Sequence, residues 1–242
     1  METRSGSLLE AMESELFHRS KELKMHFSFT LADIHLLFIL SAFLASLISF
    51  GKNFLRPLRF FSFILFFSFA IELTGFIYSR ILHRHNAHIY NLNFLFIFPF
   101  YAFFYSQFFP SHKMKRRILL LTSCYFLFAL VNMIFIQGLN TWNSYSLIAG
   151  SLLNIYLSVS YFQNLLPNKE LIKFQSDPVF WISVGVLIFY LVELPYISLL
   201  NYLNSNFLTL SKQLLMILKI LNMLMYSLFT IAFLCRISLR KY

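Results

Sequence analysis

The sequence predicts an all-α fold: a polytopic membrane protein built as a seven-transmembrane helix bundle, with a short N-terminal amphipathic helix. Composition is the first reason. Of the 242 residues, 58% are hydrophobic and only 12% are charged, whereas soluble domains carry about 25% charged residues. The second reason is a series of apolar runs, each long enough to cross about 30 Å of hydrocarbon as a helix. These seven runs occupy residues 27–50, 58–79, 89–109, 117–137, 145–166, 179–201 and 212–235.

The same pattern divides the chain into three parts. Through residues 1–26, apolar side chains recur at near-helical spacing, at Leu8, Leu9, Met12, Leu16 and Phe17. A helix of this kind is typical of a segment that lies in the membrane interface. A signal peptide is not predicted, because no basic start, short apolar core and cleavage site follow in that order. Residues 27–236 form the transmembrane domain and residues 237–242 a basic C-terminal tail, and we expect no separate soluble domain.

Basic residues are distributed unequally between the two sides that alternating spans define. Seven lie on the side of the N-terminus and twelve on the other side, including four within residues 113–117. Cytoplasmic loops are the richer in Lys and Arg. We therefore expect a multi-pass protein of the cell inner (plasma) membrane, with the N-terminus outside and the C-terminus cytoplasmic.

The net charge of +10 is explained by the same loops. Basic residues next to apolar runs contact lipid headgroups, so we expect membrane lipids and no nucleic acid among the partners. The aromatic residues near span ends, Trp142, Trp181 and Tyr202, are interpreted as anchors at the membrane interface.

Four Asp, Glu or Lys side chains lie deep inside the apolar runs, away from their ends, namely Asp33, Glu72, Glu193 and Lys219. A charge in hydrocarbon is costly unless it is paired or used, so these residues are the best functional candidates. Counted along the helices at about 1.5 Å per residue, all four lie roughly 9 to 12 Å below the surface on the N-terminal side. Three acids against one amine leave at least one carboxyl either protonated or paired with a cationic group.

Uncharged polar side chains occur at similar depths in the other spans, namely Asn91, Asn93, Asn132 and Tyr190. Polar groups in hydrocarbon are driven toward each other and away from lipid. We therefore expect a polar cavity, open toward the outer side, that binds a small ligand or passes protons or cations. Glu72, Glu193 and Lys219 are its main expected members. The alternative is a structural network in which Lys219 neutralises a glutamate and the amides complete the hydrogen bonds.

Motifs of soluble enzymes are missing from the chain, including the G-x-S-x-G elbow, the P-loop, the dinucleotide fingerprint and H-E-x-x-H. We therefore expect neither enzymatic activity nor a cofactor. A histidine-rich connection contains His83, His85 and His88, but no nearby Cys or acid completes a metal site. No metal site is predicted there.

Three phrases of the sequence carry a family resemblance: Glu72-Leu-Thr-Gly-Phe-Ile-Tyr, then Asn86 with Ile89-Tyr-Asn-Leu-Asn, and Phe180-Trp-Ile-Ser-Val-Gly-Val-Leu-Ile-Phe-Tyr. They resemble an uncharacterised seven-transmembrane membrane protein family of Bacteroidota. The similarity runs from residue 55 to residue 236. It implies an inner-membrane helix bundle and brings no established activity.

The leading functional hypothesis is a receptor-like or sensory module with a polar intramembrane pocket that signals to a separate partner. The rival is a small transporter, a proton or cation pathway, or a pore-type subunit. Glu72-Leu73 and Glu193-Leu194 would fit two three-helix units joined by the fourth span, as in SWEET-type sugar transporters, although the Pro-Gln signature is absent. The open partner hypotheses are a cytoplasmic or membrane protein and a second copy of the chain.

Overall fold

A computed structural model describes residues 34–50, 56–165 and 177–238, without the side chains of Ser49, Arg80, Asn201 and residues 236–238. The described segments form helices joined by short connections, with no strand among them. We number the helices α1 (Ile34–Ser46), α2 (Arg56–Phe76), α3 (Ala87–Ser106), α4 (His112–Val131), α5 (Ser144–Leu165), α6 (Pro178–Asn206) and α7 (Leu208–Ser238). A short 3-10 turn follows α1, and π-helical turns at Ile77–Ile81 and Asn132–Ile136 extend α2 and α4.

Within the described residues, six helices carry apolar stretches of 20 to 28 residues, long enough to cross a membrane. This length and composition indicate an integral, multi-pass membrane protein, so the predicted all-α membrane architecture is confirmed. Helix α1 is shorter and lies within the predicted first span, of which residues 27–33 are outside the described residues. The count of seven spans stays a prediction. The N-terminal amphipathic segment of residues 1–26 and residues 239–242 of the basic tail also lie outside the described residues.

Proline, aspartate and glycine mark three of the helix boundaries. Pro178 is the first residue of α6, where the helical N–H would have no partner in any case. The Asp177 carboxylate caps this helix by accepting a hydrogen bond of 2.9 Å from the Val179 N–H. Beyond α4, Gly138 has a φ of +78°, a left-handed conformation that glycine adopts without strain.

The helices form a ring with α4 outside it. Sequence neighbours α2 and α3, α5 and α6, and α6 and α7 contact each other, and α3 contacts α5. Helix α1 lies between α2 and α7, since the Ser62 hydroxyl donates to the Ser46 carbonyl at 3.0 Å and the His35 ring contacts Tyr226 at 6.3 Å. Helix α4 contacts α3 and α5, and leaves Leu119, Leu120 and Leu127 exposed.

Aromatic side chains fill the part of the ring nearest the start of α2 and the end of α3. Five phenylalanines there are at most 1% exposed, namely Phe61, Phe98, Phe104, Phe229 and Phe233. Phe61 contacts Phe104 at a centroid distance of 4.8 Å and Phe229 edge-to-face at 5.2 Å. Aromatic pairs prefer such tilted arrangements. The layer joins α2, α3 and α7 into one core.

Close packing of α3 on α5 predicts that Gly150→Ala is destabilising. A Cβ at position 150 would overlap ring carbons of Phe98, and this buried ring also contacts Tyr125 and Tyr190. Overpacking typically costs about 1–3 kcal/mol. We expect a lower thermal unfolding midpoint for the purified protein in detergent.

Gly185→Ala is the matched control for this substitution. The nearest atom to its added Cβ is a Phe229 ring carbon at 3.2 Å, so a small shift of the neighbour suffices and the loss should be smaller. An unchanged midpoint for Gly150→Ala would contradict the described contact between α3 and α5.

Candidate functional site

A cavity of about 680 Å³ lies at one end of the ring. This cavity end carries the connections between α2 and α3, α4 and α5, and α6 and α7. Helices α1, α2, α3, α6 and α7 line the cavity, together with Trp142 from the connection between α4 and α5. Its size falls within the usual range of small-molecule sites, about 300–1,000 Å³.

The cavity brings together three of the four ionisable residues predicted from the sequence. Glu72 comes from α2, Glu193 from α6 and Lys219 from α7, and all three line the cavity. Each of these side chains is partly buried. Asp33 lies outside the described residues. Two acids and an amine therefore line the same cavity, although they are far apart in the sequence.

Glu72 is held by a hydrogen bond from α3. The Tyr90 hydroxyl donates to Glu72 Oε2 at 3.0 Å. Gly75, nearly one turn after Glu72, makes room for this bond, because a Cβ there would lie 2.6 Å from the Tyr90 hydroxyl. The Tyr90 ring also packs against the Trp142 ring, with the two ring centroids 5.5 Å apart. One carboxylate oxygen of Glu72 is thereby oriented by the wall of the cavity.

Glu193 is oriented by the neighbouring helix α5. The Ser151 hydroxyl donates to the Leu147 carbonyl of its own helix at 2.8 Å and lies 3.3 Å from Glu193 Oε2. Pro195 lies two residues further along α6, and proline has no N–H to donate, so the Leu191 carbonyl loses its usual helical partner. The turn of α6 that carries Glu193 therefore has one hydrogen bond fewer than a regular helix.

Three buried polar atoms on cavity-lining residues have no hydrogen-bond partner among the described residues. They are His35 Nε2, Trp142 Nε1 and Asn222 Oδ1. His35 is only 8% exposed. Buried polar atoms are normally paired, and leaving one unpaired costs about 1–3 kcal/mol. Because the indole N–H is a donor and the amide oxygen an acceptor, a polar molecule in the cavity could satisfy both.

Asn91, predicted as a pocket residue, does not line the cavity. Its amide nitrogen donates to the Leu139 carbonyl at 2.8 Å and to the Thr141 carbonyl at 2.6 Å. Its amide oxygen accepts from the Asn143 N–H at 3.0 Å. Asn91 thus clamps the connection that carries Trp142. Its contribution to the cavity is indirect.

Asn93, Asn132 and Tyr190 also lie outside the lining of the cavity. The Asn132 amide donates to Gln137 at 2.9 Å and to Ser146 at 2.7 Å, on the side of α4 and α5. The Tyr190 ring contacts Phe98 at 5.7 Å, within the aromatic core. The predicted depth is similar for all of these residues, but the rotation of each helix turns their side chains elsewhere.

Sequence reasoning missed three residues that shape the cavity: His35, Tyr90 and Trp142. The prediction made Trp142 an interfacial anchor, and the structure places it against Tyr90 and Phe94 in the cavity wall. For Tyr90 and His35, the sequence offered one signal, which is that their predicted depths are close to those of Glu72 and Asp33. It did not indicate toward which side of the helix their side chains point.

Histidine, cysteine and acidic side chains do not gather into a metal site in the described segments, where no group of three or more could hold an ion. Comparison with protein-family models, with curated protein sequences and with solved structures found no match to the chain. The geometry of the cavity is therefore the basis for proposing a function.

The clamp formed by Asn91 predicts the effect of Asn91→Ala. Two carbonyls and one N–H of the connection would lose their partner, at a cost of about 1–3 kcal/mol. We expect a lower unfolding midpoint together with a change in Trp142 fluorescence, measured in a Trp181→Phe background so that a single indole reports.

The matched control is Asn206→Ala. Its amide also donates to a backbone carbonyl, that of Tyr202 at 3.0 Å, but at an exposed helix end. This variant should change neither readout appreciably. Fluorescence of Asn91→Ala identical to that of the background protein would show that Asn91 does not position Trp142.

Proposed function

We propose that the chain is a receptor-like membrane module that binds a small polar ligand in the cavity and signals to a separate partner. The main observation in support of this proposal is that Glu72, Glu193 and Lys219, from three different helices, line one cavity of about 680 Å³. Ionisable residues inside a membrane bundle mark functional sites by default. The unpartnered polar atoms in the same wall support a ligand with both donor and acceptor groups.

The packing beneath the cavity favours a binding pocket over an open pore. The aromatic layer of Phe61, Phe98, Phe104, Phe229 and Phe233 fills the ring on the side away from the cavity end. Its members are at most 1% exposed, and interiors packed this closely hold few voids larger than a water molecule. A ligand that enters at the cavity end would therefore stop above this layer.

Charge supports an orientation in which the cavity opens outward. The end of the bundle away from the cavity carries exposed basic side chains, namely Lys113, Lys115, Arg116 and Arg117. Basic residues favour the cytoplasmic side. In the inner membrane the cavity would then face outward and the basic cluster would meet anionic headgroups or a cytoplasmic protein.

Helices α6 and α7 are the proposed path for a signal. Both contribute ionisable residues to the cavity, through Glu193 and Lys219, and they contact each other along their length. The missing N–H of Pro195 leaves the turn beside Glu193 one backbone hydrogen bond short. A ligand shifts an equilibrium between two conformations only if it binds one of them more tightly. We propose that this difference in affinity arises at Glu193, because a change in the shape of α6 would move its carboxyl.

Binding by the cavity predicts a specific loss in three variants. The protein in lipid nanodiscs would be screened by thermal shift against small zwitterions, organic cations and organic acids. A binding compound at one hundred times its Kd stabilises the folded state by about 2.7 kcal/mol. We expect Glu72→Gln, Glu193→Gln and Lys219→Gln each to reduce the shift given by the same compound.

Lys115→Gln is the control matched to Lys219→Gln, because Lys115 is exposed at the opposite end of the bundle. It should leave the ligand-induced shift unchanged. A compound whose shift survives all three cavity substitutions would bind elsewhere. If the substitutions change only the midpoint of the unliganded protein, the polar residues are a structural network.

A further inference from the structure

The two glutamates that line the cavity have no cationic partner in the described part of the chain. Glu72 accepts a hydrogen bond from the Tyr90 hydroxyl at 3.0 Å. Glu193 Oε2 lies 3.3 Å from the Ser151 hydroxyl, but that hydroxyl donates its proton to the Leu147 carbonyl at 2.8 Å. A carboxylate inside a membrane bundle is costly unless it is paired. A cation that enters the cavity would supply the missing partner.

Two lysines also line the cavity, but neither is paired with these glutamates. Lys219 takes part in an interaction of its own. Lys212 is exposed near the start of α7, where water can solvate its ammonium group. Among the described residues, neither lysine forms an ion pair with Glu72 or Glu193. The two carboxyls are therefore neutralised either by a proton or by a cationic ligand.

Each of the two glutamates lies among aromatic side chains. Tyr90, whose hydroxyl contacts Glu72, packs against Trp142 with the ring centroids 5.5 Å apart. The face of an aromatic ring attracts an ammonium group within about 6 Å of its centroid, and the attraction is stronger when the cation is desolvated. On α6, three residues line the cavity from one helical face, at intervals of four and three residues: Phe189, Glu193 and Tyr196.

The unpartnered polar atoms of the cavity wall include more acceptors than donors. Asn222 Oδ1 is an acceptor and Trp142 Nε1 is a donor. His35 is 8% exposed, and its unpartnered Nε2 is a second acceptor when the neutral ring carries its proton on Nδ1. The carboxyls of Glu72 and Glu193 add further acceptors. A primary ammonium group, which has three N–H donors and no acceptor, is the complement of such a wall.

On the basis of the ligand binding proposed above, we propose that the ligand is a small primary amine in its ammonium form that also carries a hydroxyl group. Glu72 and Glu193 supply the negative charge, and the aromatic rings beside them contact the ammonium group. The hydroxyl oxygen accepts from the Trp142 indole N–H. The receptor-like function leaves the chemical class of the ligand open, and this charge pattern specifies it.

An organic acid is the competing ligand, with its carboxylate beside Lys219 or Lys212. Such a ligand would bring a further carboxylate into a cavity in which two acids already lack a cationic partner. Like charges repel each other more strongly in an apolar surrounding than in water. The amine and the acid therefore differ in the sign of the charge that the cavity prefers.

Binding of four matched compounds tests the proposal: aminobutanol, its trimethylammonium analogue, butanediol and hydroxybutanoate, which share one chain length and one hydroxyl end. The full chain in lipid nanodiscs would be titrated at neutral pH in the Trp181→Phe background, so that the fluorescence of Trp142 alone reports. We expect aminobutanol to bind at least about tenfold more tightly than butanediol and hydroxybutanoate, because it alone offers the glutamates a charged N–H donor. The trimethylammonium analogue has no N–H and should bind more weakly than aminobutanol.

Glu72→Gln and Glu193→Gln should each weaken the binding of aminobutanol at least about tenfold. Asp177→Asn is the matched control, because it removes a carboxylate at the opposite end of the bundle, and asparagine still caps the start of α6. It should retain the wild-type affinity. Monodispersity and unfolding midpoint would be measured for every variant. The comparison of compounds uses no cavity variant, so it decides the question even if a glutamine variant does not fold.

Four results would each overturn the proposal. The first is no change of Trp142 fluorescence with aminobutanol. The second is an affinity for butanediol or hydroxybutanoate that equals the affinity for aminobutanol, and the third is an equal affinity for the trimethylammonium analogue. The fourth is an unchanged affinity for aminobutanol in folded Glu72→Gln and Glu193→Gln.

Failure of the amine assignment is distinguishable from failure of the proposed function. If only an acid or a neutral compound gives a thermal shift that the cavity substitutions reduce, the receptor-like binding stands and the amine class is wrong. If no compound of any class gives such a shift, the receptor-like function fails together with the amine class.

Discussion

The structure depends on the rule that a polar group inside a bilayer must find its partner within the protein. Backbone groups satisfy it by forming helices, so the described residues contain helices and short connections. Ionisable side chains satisfy it by turning away from lipid, and this brings Glu72, Glu193 and Lys219 to one cavity. The cavity therefore collects three of the most costly side chains among the described residues.

Both packing and hydrogen bonding determine the shape of this cavity. The small residue Gly75 lets Tyr90 reach Glu72, and Asn91 fixes the connection that presents Trp142. On the other side, the aromatic layer closes the ring below. Helix α4 contributes from outside, since Asn132 bonds the start of α5 through Ser146. Residues that touch no ligand thus determine where the lining residues lie.

Glu193 joins the cavity to the neighbouring helix α5. It lines the cavity, and its Oε2 lies 3.3 Å from the Ser151 hydroxyl. A ligand that contacts this carboxyl would therefore act on α6 next to the turn in which Pro195 removes a backbone hydrogen bond.

Hydropathy alone predicted the membrane class of the protein and the positions of the six long described helices, because both depend only on distance along the chain. The tertiary structure decided which neighbours of equal depth face the cavity: Tyr90 lines it and Asn91 does not. The sequence could not distinguish them, since in a membrane bundle both the lipid and the core are apolar and the hydrophobic pattern does not reveal how a helix is rotated. The same ambiguity hid Trp142 and His35, whose orientation depends on contacts with other helices.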